Sequence, residues 1–183
     1  MHSLAVILQD ERVMYAYNGA FSDAETLAWM QKQLRRYREF GFGLWAVLKR
    51  DTGEMIGQCG ITMQEYRNTQ VPEIGYLFAY KHWHQGYATE AAIACREYGF
   101  NTLHFDALYS IIRDTNIPSQ NVALRNGMKK IDSFVKHYRG EDMPHWVYRV
   151  RKTNAKSFVL IIGFYSFLSI PYYLCAMNNY VYL

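Results

Sequence analysis

The chain has 183 residues, enough for one globular domain with a proper core and too few to argue for two. Half of it is hydrophobic and 20% is charged, which excludes a disordered polypeptide, and a net charge of +4 is too mild for a nucleic-acid binder, whose basic residues crowd one stripe. Three widely spaced cysteines, Cys59, Cys95 and Cys175, form neither a disulfide framework nor a zinc pattern, and residues 1–10 carry no secretory signal, so a reducing, cytoplasmic setting is expected.

In chain order, Ser3 to Tyr15 reads as a short helix with Leu4, Ile7, Leu8 and Val13 as its apolar positions. Ser22 to Glu39 is a second helix: Ser22 with Glu25 makes a capping box, Leu27, Met30, Leu34 and Tyr37 keep helical spacing, and Gly41 stops it. Arg35, Arg36 and Arg38 read as its solvated face. Strands are expected at Leu44 to Lys49, Met55 to Glu65 and Glu73 to Ala79, with Asp51-Thr52-Gly53 turning the first into the second and Val71-Pro72 preceding the third. Gly86 to Phe100 is a helix whose small residues Ala88, Ala91, Ala92 and Cys95 allow close approach to a sheet. Ala107 to Arg113 is a strand, and Ser119 to Asn126 a short helix closed by Gly127. Ile131 to Tyr138 and Trp146 to Arg151 form a final antiparallel pair. Helices among mostly antiparallel strands, with one strand–helix–strand crossover from Glu73 to Arg113, make an α/β (α+β) domain.

The tail differs in kind. No acidic or basic side chain lies beyond Lys156, and Phe158 to Met177 is almost wholly apolar over 20 residues, the length that crosses a bilayer as a helix. Residues 1–152 are therefore one domain, and residues 153–183 an apolar appendage that is charge-free after Lys156. The cations Arg149, Arg151, Lys152 and Lys156 before it would keep the domain cytoplasmic if residues 158–177 anchored in a membrane. The alternatives are a tail that packs on the domain, over a sheet edge left open, and a tail foreign to the fold that is disordered or fortuitously helical.

Two constellations carry chemistry. The strand Glu73-Ile74-Gly75-Tyr76-Leu77-Phe78 is followed by Trp83-His84-Gln85-Gly86-Tyr87-Ala88-Thr89-Glu90-Ala91, a glycine-containing loop feeding a helix. Such a helix start presents unpaired backbone N–H groups and a positive dipole end, which hold a phosphate or pyrophosphate. Further on, Asn116-Ile117-Pro118-Ser119-Gln120-Asn121 leads into Asn126-Gly127-Met128, with Ser119 a good helix N-cap. Either alone reads as well as ordinary capping and turn chemistry.

Taken in this order, the motifs resemble those of the GNAT acetyltransferases, and within them the branch of the RimJ and RimL type ribosomal-protein N-terminal acetyltransferases. The matching stretches are Glu73 to Tyr76, Trp83 to Ala91 and Asn116 to Met128, and the likeness extends over Leu4 to Lys152. It implies a GNAT fold, with a mixed, mostly antiparallel sheet flanked by helices, and acetyl-coenzyme A as the acetyl donor. It also implies an amine acceptor, either a peptide or protein N-terminus or a small molecule, attacking directly without a covalent acyl-enzyme. Three departures stand out. The pyrophosphate signature places Lys81, His84 and Gly86 where relatives have Gln or Arg and two glycines. The family's first strand is not matched, which leaves a sheet edge uncovered or filled differently. Ala123 stands where many relatives have a general-acid tyrosine.

The resemblance makes Glu73 the candidate base and Ser119 the candidate acid, with Tyr138 a weaker alternative. Backbone N–H groups of Tyr76, Leu77 and Phe78 would pin the pantetheine arm and polarise the acetyl carbonyl. His84, Gln85, Gly86, Tyr87, Ala88 and Thr89 would hold the pyrophosphate, and Asn116 and Asn121 the pantetheine or adenosine end. His82 and His84 are two metal ligands without a third, and the chemistry needs no metal. His137, Tyr138, Arg139 and Trp146 would wall the acceptor site, with Trp29, Tyr37 and Phe42 opposite or in the core. A degenerate domain that senses acetyl-coenzyme A without turnover is the competing function, motivated by His84 and the missing strand.

Overall fold

The computed structural model describes residues 1–153 and the backbone of 174–175 and 180–182. Most of the apolar run at 158–177, and with it the membrane-anchor expectation, lies outside the described residues; among those described, no helix is long and apolar enough to cross a membrane.

The N-terminal helix is broken. In place of one helix from Ser3 to Tyr15 there are α1 (His2–Leu8), α2 (Glu11–Met14) and a 3-10 turn at Tyr15–Tyr17. Asp10 causes the break, since its carboxylate accepts the N–H of Arg12 at 3.0 Å and so caps a new helix. The bend lets Ile7, Leu8, Val13 and Met14 reach one apolar cluster with Phe21 and Ala79.

Helix α3 (Asp23–Phe40) starts at the expected capping box, Ser22 Oγ accepting Glu25 N and Glu25 Oε2 accepting Ser22 N, and ends at Gly41 in the left-handed region. Its inward face is not the expected one. Leu27 and Leu34 are 42% and 51% exposed, whereas Thr26 and Gln33 are buried and Trp29, Arg36 and Tyr37 half-buried. Those inward residues recur at three- and four-residue intervals, so a helical period is kept but rotated. Arg36 therefore faces the protein rather than bulk solvent, a correction to its reading as solvated.

The strands are β1 (Leu44–Leu48), β2 (Met55–Tyr66), β3 (Thr69–Phe78), β4 (Ala107–Arg113), β5 (Lys129–Tyr138), β6 (Glu141–Arg151), β7 (Leu174–Cys175) and β8 (Tyr180–Tyr182). They form a mixed sheet in the order β5-β6-β4-β3-β2-β1-β8-β7, antiparallel except for β3 with β4 and β1 with β8. The edge at β1 is filled by β8, through Ala46 with Tyr180, Val47 with Val181 and Leu48 with Tyr182. Strand β3 starts at Thr69, earlier than Val71-Pro72 suggests, because Arg67 and Asn68 both take positive φ and close a two-residue hairpin with β2. Ala79 N donates to Ile56 O, and that bond sets the alternation along β3, so Pro72 turns its missing N–H away from β2 and costs that ladder nothing.

Helix α4 (Tyr87–Asn101) crosses from β3 to β4 and buries Ala91, Ala92 and Cys95 against Cys59, Ile61, Ile74 and Leu108. Gly99 is what brings it so close, since a Cβ there would lie 2.8 Å from Leu108 Cδ1 and 2.9 Å from Ile61 Cδ1. The cluster around α1 and α2 takes Met55 and Leu77, residues that alternate with the Ile56 and Phe78 of the α4 side, so it occupies the opposite face. Helix α5 (Ile117–Arg125) begins two residues before Ser119. Its N-cap is Asn116, whose Oδ1 accepts Ser119 N at 3.2 Å, so Ser119 is not the cap.

Candidate active site

Strands β3 and β4 part almost as soon as they meet. Their shared register is Glu73 opposite Tyr109, and beyond it they diverge toward Phe78 and Arg113. By the alternation above, Ile74, Tyr76 and Phe78 turn their backbone groups toward β4. A continued parallel ladder would set Ile111 N–H on Ile74 O. Instead Ile111 N donates to Glu73 Oε1 at 2.9 Å, and Ile74 O accepts Ser110 Oγ at 2.9 Å. Two side chains thus take over one rung and hold the seam open. The N–H groups of Tyr76 and Phe78 face the gap, while that of Leu77 is committed to β2.

The gap opens into a cleft of about 1620 Å³. One end is bounded by the start of α4. Gly86 is its N-cap at φ +89°, no side chain caps the helix, and a Cβ on Gly86 would meet nothing within 4 Å. His84 has φ +60°, so the residue that replaces a glycine keeps a backbone conformation that favours glycine. The free N–H groups of a 15-residue helix therefore point at open space. His84, Gly86, Tyr87, Ala88 and Thr89 line the cleft; Gln85 does not, and its side chain donates to Lys81 O at 3.0 Å. Lys81 pairs with Glu54 at 2.5 Å.

Helix α5 forms the facing wall with Asn116, Ser119 and Asn121. Tyr76 Oη donates to Ser119 O at 2.9 Å and ties this helix to β3. The Oδ1 of Asn116 is shared between the helix cap and Tyr15 Oη, at 2.8 Å, so its acceptor is spent within the protein. Ala123, where relatives carry a tyrosine, is buried in the core.

The other end of the cleft is lined by Tyr17, Phe21, Trp29, Lys32 and Arg36 from one wall and by Phe134, Lys136, His137 and Tyr138 of β5 from the other, with Glu73 at the base. Burial raises the Glu73 carboxyl above its ordinary value, opposed by the Ile111 N–H and by the charges of Lys136, Arg36 and Lys32. Burial likewise lowers Lys32 and Arg36 and raises Tyr17, the last helped by Glu73. His145 stacks on Phe134, and its burial favours the neutral ring. Trp146 packs against the core beneath Lys130, while Tyr37 donates to Leu44 O at 2.6 Å and Phe42 is core, so none of the three walls the site. Sequence reasoning missed Tyr15, Tyr17, Lys32, Arg36 and Lys136; only the i, i+4 spacing of Lys32 and Arg36 offered a signal.

Cys59 and Cys95 lie buried with sulfurs 3.5 Å apart, outside the cleft, and burial pushes the Cys59 thiol up. Among the described residues, no group of three His, Cys, Asp or Glu side chains converges as a metal site.

Comparison with known proteins adds the following. Residues 1–129 match the family model described as an acetyltransferase (GNAT) domain. The chain is 38% identical over 149 residues to the uncharacterized protein YkkB of Bacillus subtilis (strain 168), covering 81% of this chain and 84% of that one. It is 31% identical over 128 residues to the uncharacterized N-acetyltransferase YnaD of the same organism, covering 69% and 72%. A crystal structure of the acetyltransferase from Agrobacterium tumefaciens str. C58 superposes with a TM-score of 0.67 at 28% identity, covering 82% of this chain and 84% of that chain.

Proposed function

This chain belongs to the GNAT acetyltransferase family, and on that premise we propose that it transfers acetyl from acetyl-coenzyme A to a primary amine, of a peptide or protein N-terminus or of a small molecule, by direct attack. The observation that carries this reading is the shared cleft, in which the Glu73 carboxylate lies at the base of the split strands and the uncapped start of α4 opens into the same space. The open cradle at Gly86 suits a pyrophosphate, because backbone N–H groups can approach it with no Cβ in the way.

Bound there, acetyl-coenzyme A supplies a thioester carbonyl. The Tyr87 and Ala88 N–H groups hold the pyrophosphate, and Tyr76 and Phe78 N–H groups lie along the gap to pin the pantetheine arm and polarise the carbonyl oxygen. Glu73 takes a proton from the acceptor nitrogen, directly or through one water, as the new C–N bond forms and the C–S bond breaks. Its raised pKa makes it a better base than a solvated carboxylate. The departing sulfur takes a proton relayed from water through the Ser119 hydroxyl on the facing wall, and Glu73 gives its proton back to solvent. The motif likeness to the RimJ and RimL branch supports an α-amine as acceptor. Such an amine, with a pKa of about 7.7–8.0, is ~10% or more neutral at pH 7, whereas a lysine side chain is far below 1% neutral.

The test is release of coenzyme A thiol across α-amines, peptides, amino acids and polyamines, repeated with Glu73→Gln. The reading expects release with at least one class and a loss of about 10²–10⁴-fold in the variant. No release with any class would overturn the reading, and an unchanged rate in Glu73→Gln would remove Glu73 from it.

A further inference from the structure

Among the cations at the acceptor end are Lys32, Arg36, Arg67 and Lys136, which line the cleft, and Arg139, in the turn beside it. Two are neutralised. Arg67 pairs with Asp132 at 2.6 Å, and Arg139 pairs with Glu25. Lys32, Arg36 and Lys136 make no ion pair within 4.0 Å among the described residues. The charges of all three act on Glu73, whose own charge burial disfavours. The three come from both walls, with Lys32 and Arg36 one turn apart on α3 and Lys136 opposite on β5.

Cations without an ion-pair partner gathered in a concave site are an electrostatic complement to an anion. We propose that the acceptor is a small amine bearing a carboxylate or phosphate close to its nitrogen, its anion held by Lys32, Arg36 and Lys136 while the nitrogen faces Glu73. This deepens the acetyl-transfer reading above and rests on it. The same positive field favours the neutral amine, which is the form that attacks, and repels a polyamine with further ammonium groups.

Smallness follows from how the two walls are joined. Arg139, in the β5–β6 turn, donates to Asn18 O at 3.2 Å and to Gly19 O at 3.5 Å and meets Glu25 at the start of α3. These bonds bridge the loop after Tyr17 to the turn after Tyr138, two residues that line opposite walls. With the two walls tied together at this end, an amino acid or aminoalkyl phosphate suits the cleft better than the N-terminus of a folded protein.

The experiment is steady-state thiol release from acetyl-coenzyme A by the full chain with matched acceptors. The pairs are an amino carboxylic acid and its primary amide, and an aminoalkyl phosphate and its amino alcohol; spermidine and an acidic peptide complete the panel. The anionic member of a pair should win by about tenfold or more in kcat/KM, mainly through KM, as expected for one or two charge-assisted hydrogen bonds. Which pair shows the larger ratio tells carboxylate from phosphate. Arg36→Gln and Lys136→Gln, made separately, should each shrink that ratio toward one and leave the KM for acetyl-coenzyme A unchanged, and Lys136→Arg should restore it. Amines that turn over without an anion preference, spermidine as the best acceptor, or use of the acidic peptide alone would each overturn the inference while leaving acetyl transfer standing. Silence from every amine would instead defeat the acetyl-transfer reading beneath it.

Discussion

The carboxylate of Glu73 accepts the backbone N–H of Ile111 at 2.9 Å, on the seam where β3 and β4 separate. This carboxylate takes the N–H half of a missing rung, the other half going to Ser110, and stands at the base of the cleft. Glu73→Gln keeps an oxygen for Ile111 but has no basic lone pair to take a proton. The folded carboxyl titrates above its ordinary value of 4.5, so the folded chain binds that proton more tightly than the unfolded one. Ionising Glu73 therefore costs stability as pH climbs from the unfolded value to the folded one. Removing that cost predicts a melting temperature at pH 8 equal to or above that of the parent, with activity about 10²–10⁴-fold lower. The parent's acid limb of kcat/KM should fall at a pH above the ordinary glutamate value. Differential scanning calorimetry and a pH–rate profile check both.

The turn before α4 gives a second test. Gly86 sits at φ +89° with open space about it, so Gly86→Ala should be strained by conformation and not by collision. The cost expected is about 1–2 kcal/mol, with a raised KM for acetyl-coenzyme A. His84, at φ +60°, predicts the reverse: His84→Gly should fold and turn over like the parent, while a β-branched His84→Val should lose stability. Chemical denaturation of the three variants measures the order.

Tyr76 Oη reaches Ser119 O at 2.9 Å and positions the start of α5 against β3. Tyr76→Phe should cost about 0.5–1.5 kcal/mol of stability. It should also lower kcat more than it raises the KM for the acceptor, because Ser119 then loses its tether. A kcat and KM unchanged from the parent would show that Ser119 needs no such support.

Packing of the sheet is tested at Gly60, where an added Cβ would lie 2.0 Å from Gly43 O and 2.8 Å from Leu44 Cα. Both are backbone atoms, so β1 must move. Gly60→Ala should destabilise by about 1–3 kcal/mol, read from urea unfolding.

Much of this architecture was legible in the residues, because local signals and global packing agree. The Ser22–Glu25 capping box marked the start of α3, and the small residues of α4 announced its close seat on the sheet. The inward face of α3 was not legible, since binary patterning assigns leucines to the core, whereas this helix turns Arg36 and Gln33 inward and leaves Leu27 and Leu34 exposed. Pro72 hid the start of β3, because its tolerance depends on which neighbour the missing N–H faces. Asn116 and Ser119 were both recognised, but their shared hydrogen bond, not propensity, decides which one caps α5. Of the candidate site, the cleft lining from Gly86 to Thr89 and at Asn116, Ser119 and Asn121 could be read from contiguous motifs. The cationic side could not, because Lys32, Arg36 and Lys136 converge from segments about a hundred residues apart.

Acetyl transfer to an amine within the split between β3 and β4 is tested most directly by a single-turnover experiment with acetyl-labelled acetyl-coenzyme A and the best acceptor of the panel. Label is expected in the amide product, matched by free coenzyme A thiol, with none left on the protein and transfer slowed at least about 10²-fold in Glu73→Gln. Label retained covalently on the chain, or free acetate in place of amide, would contradict it.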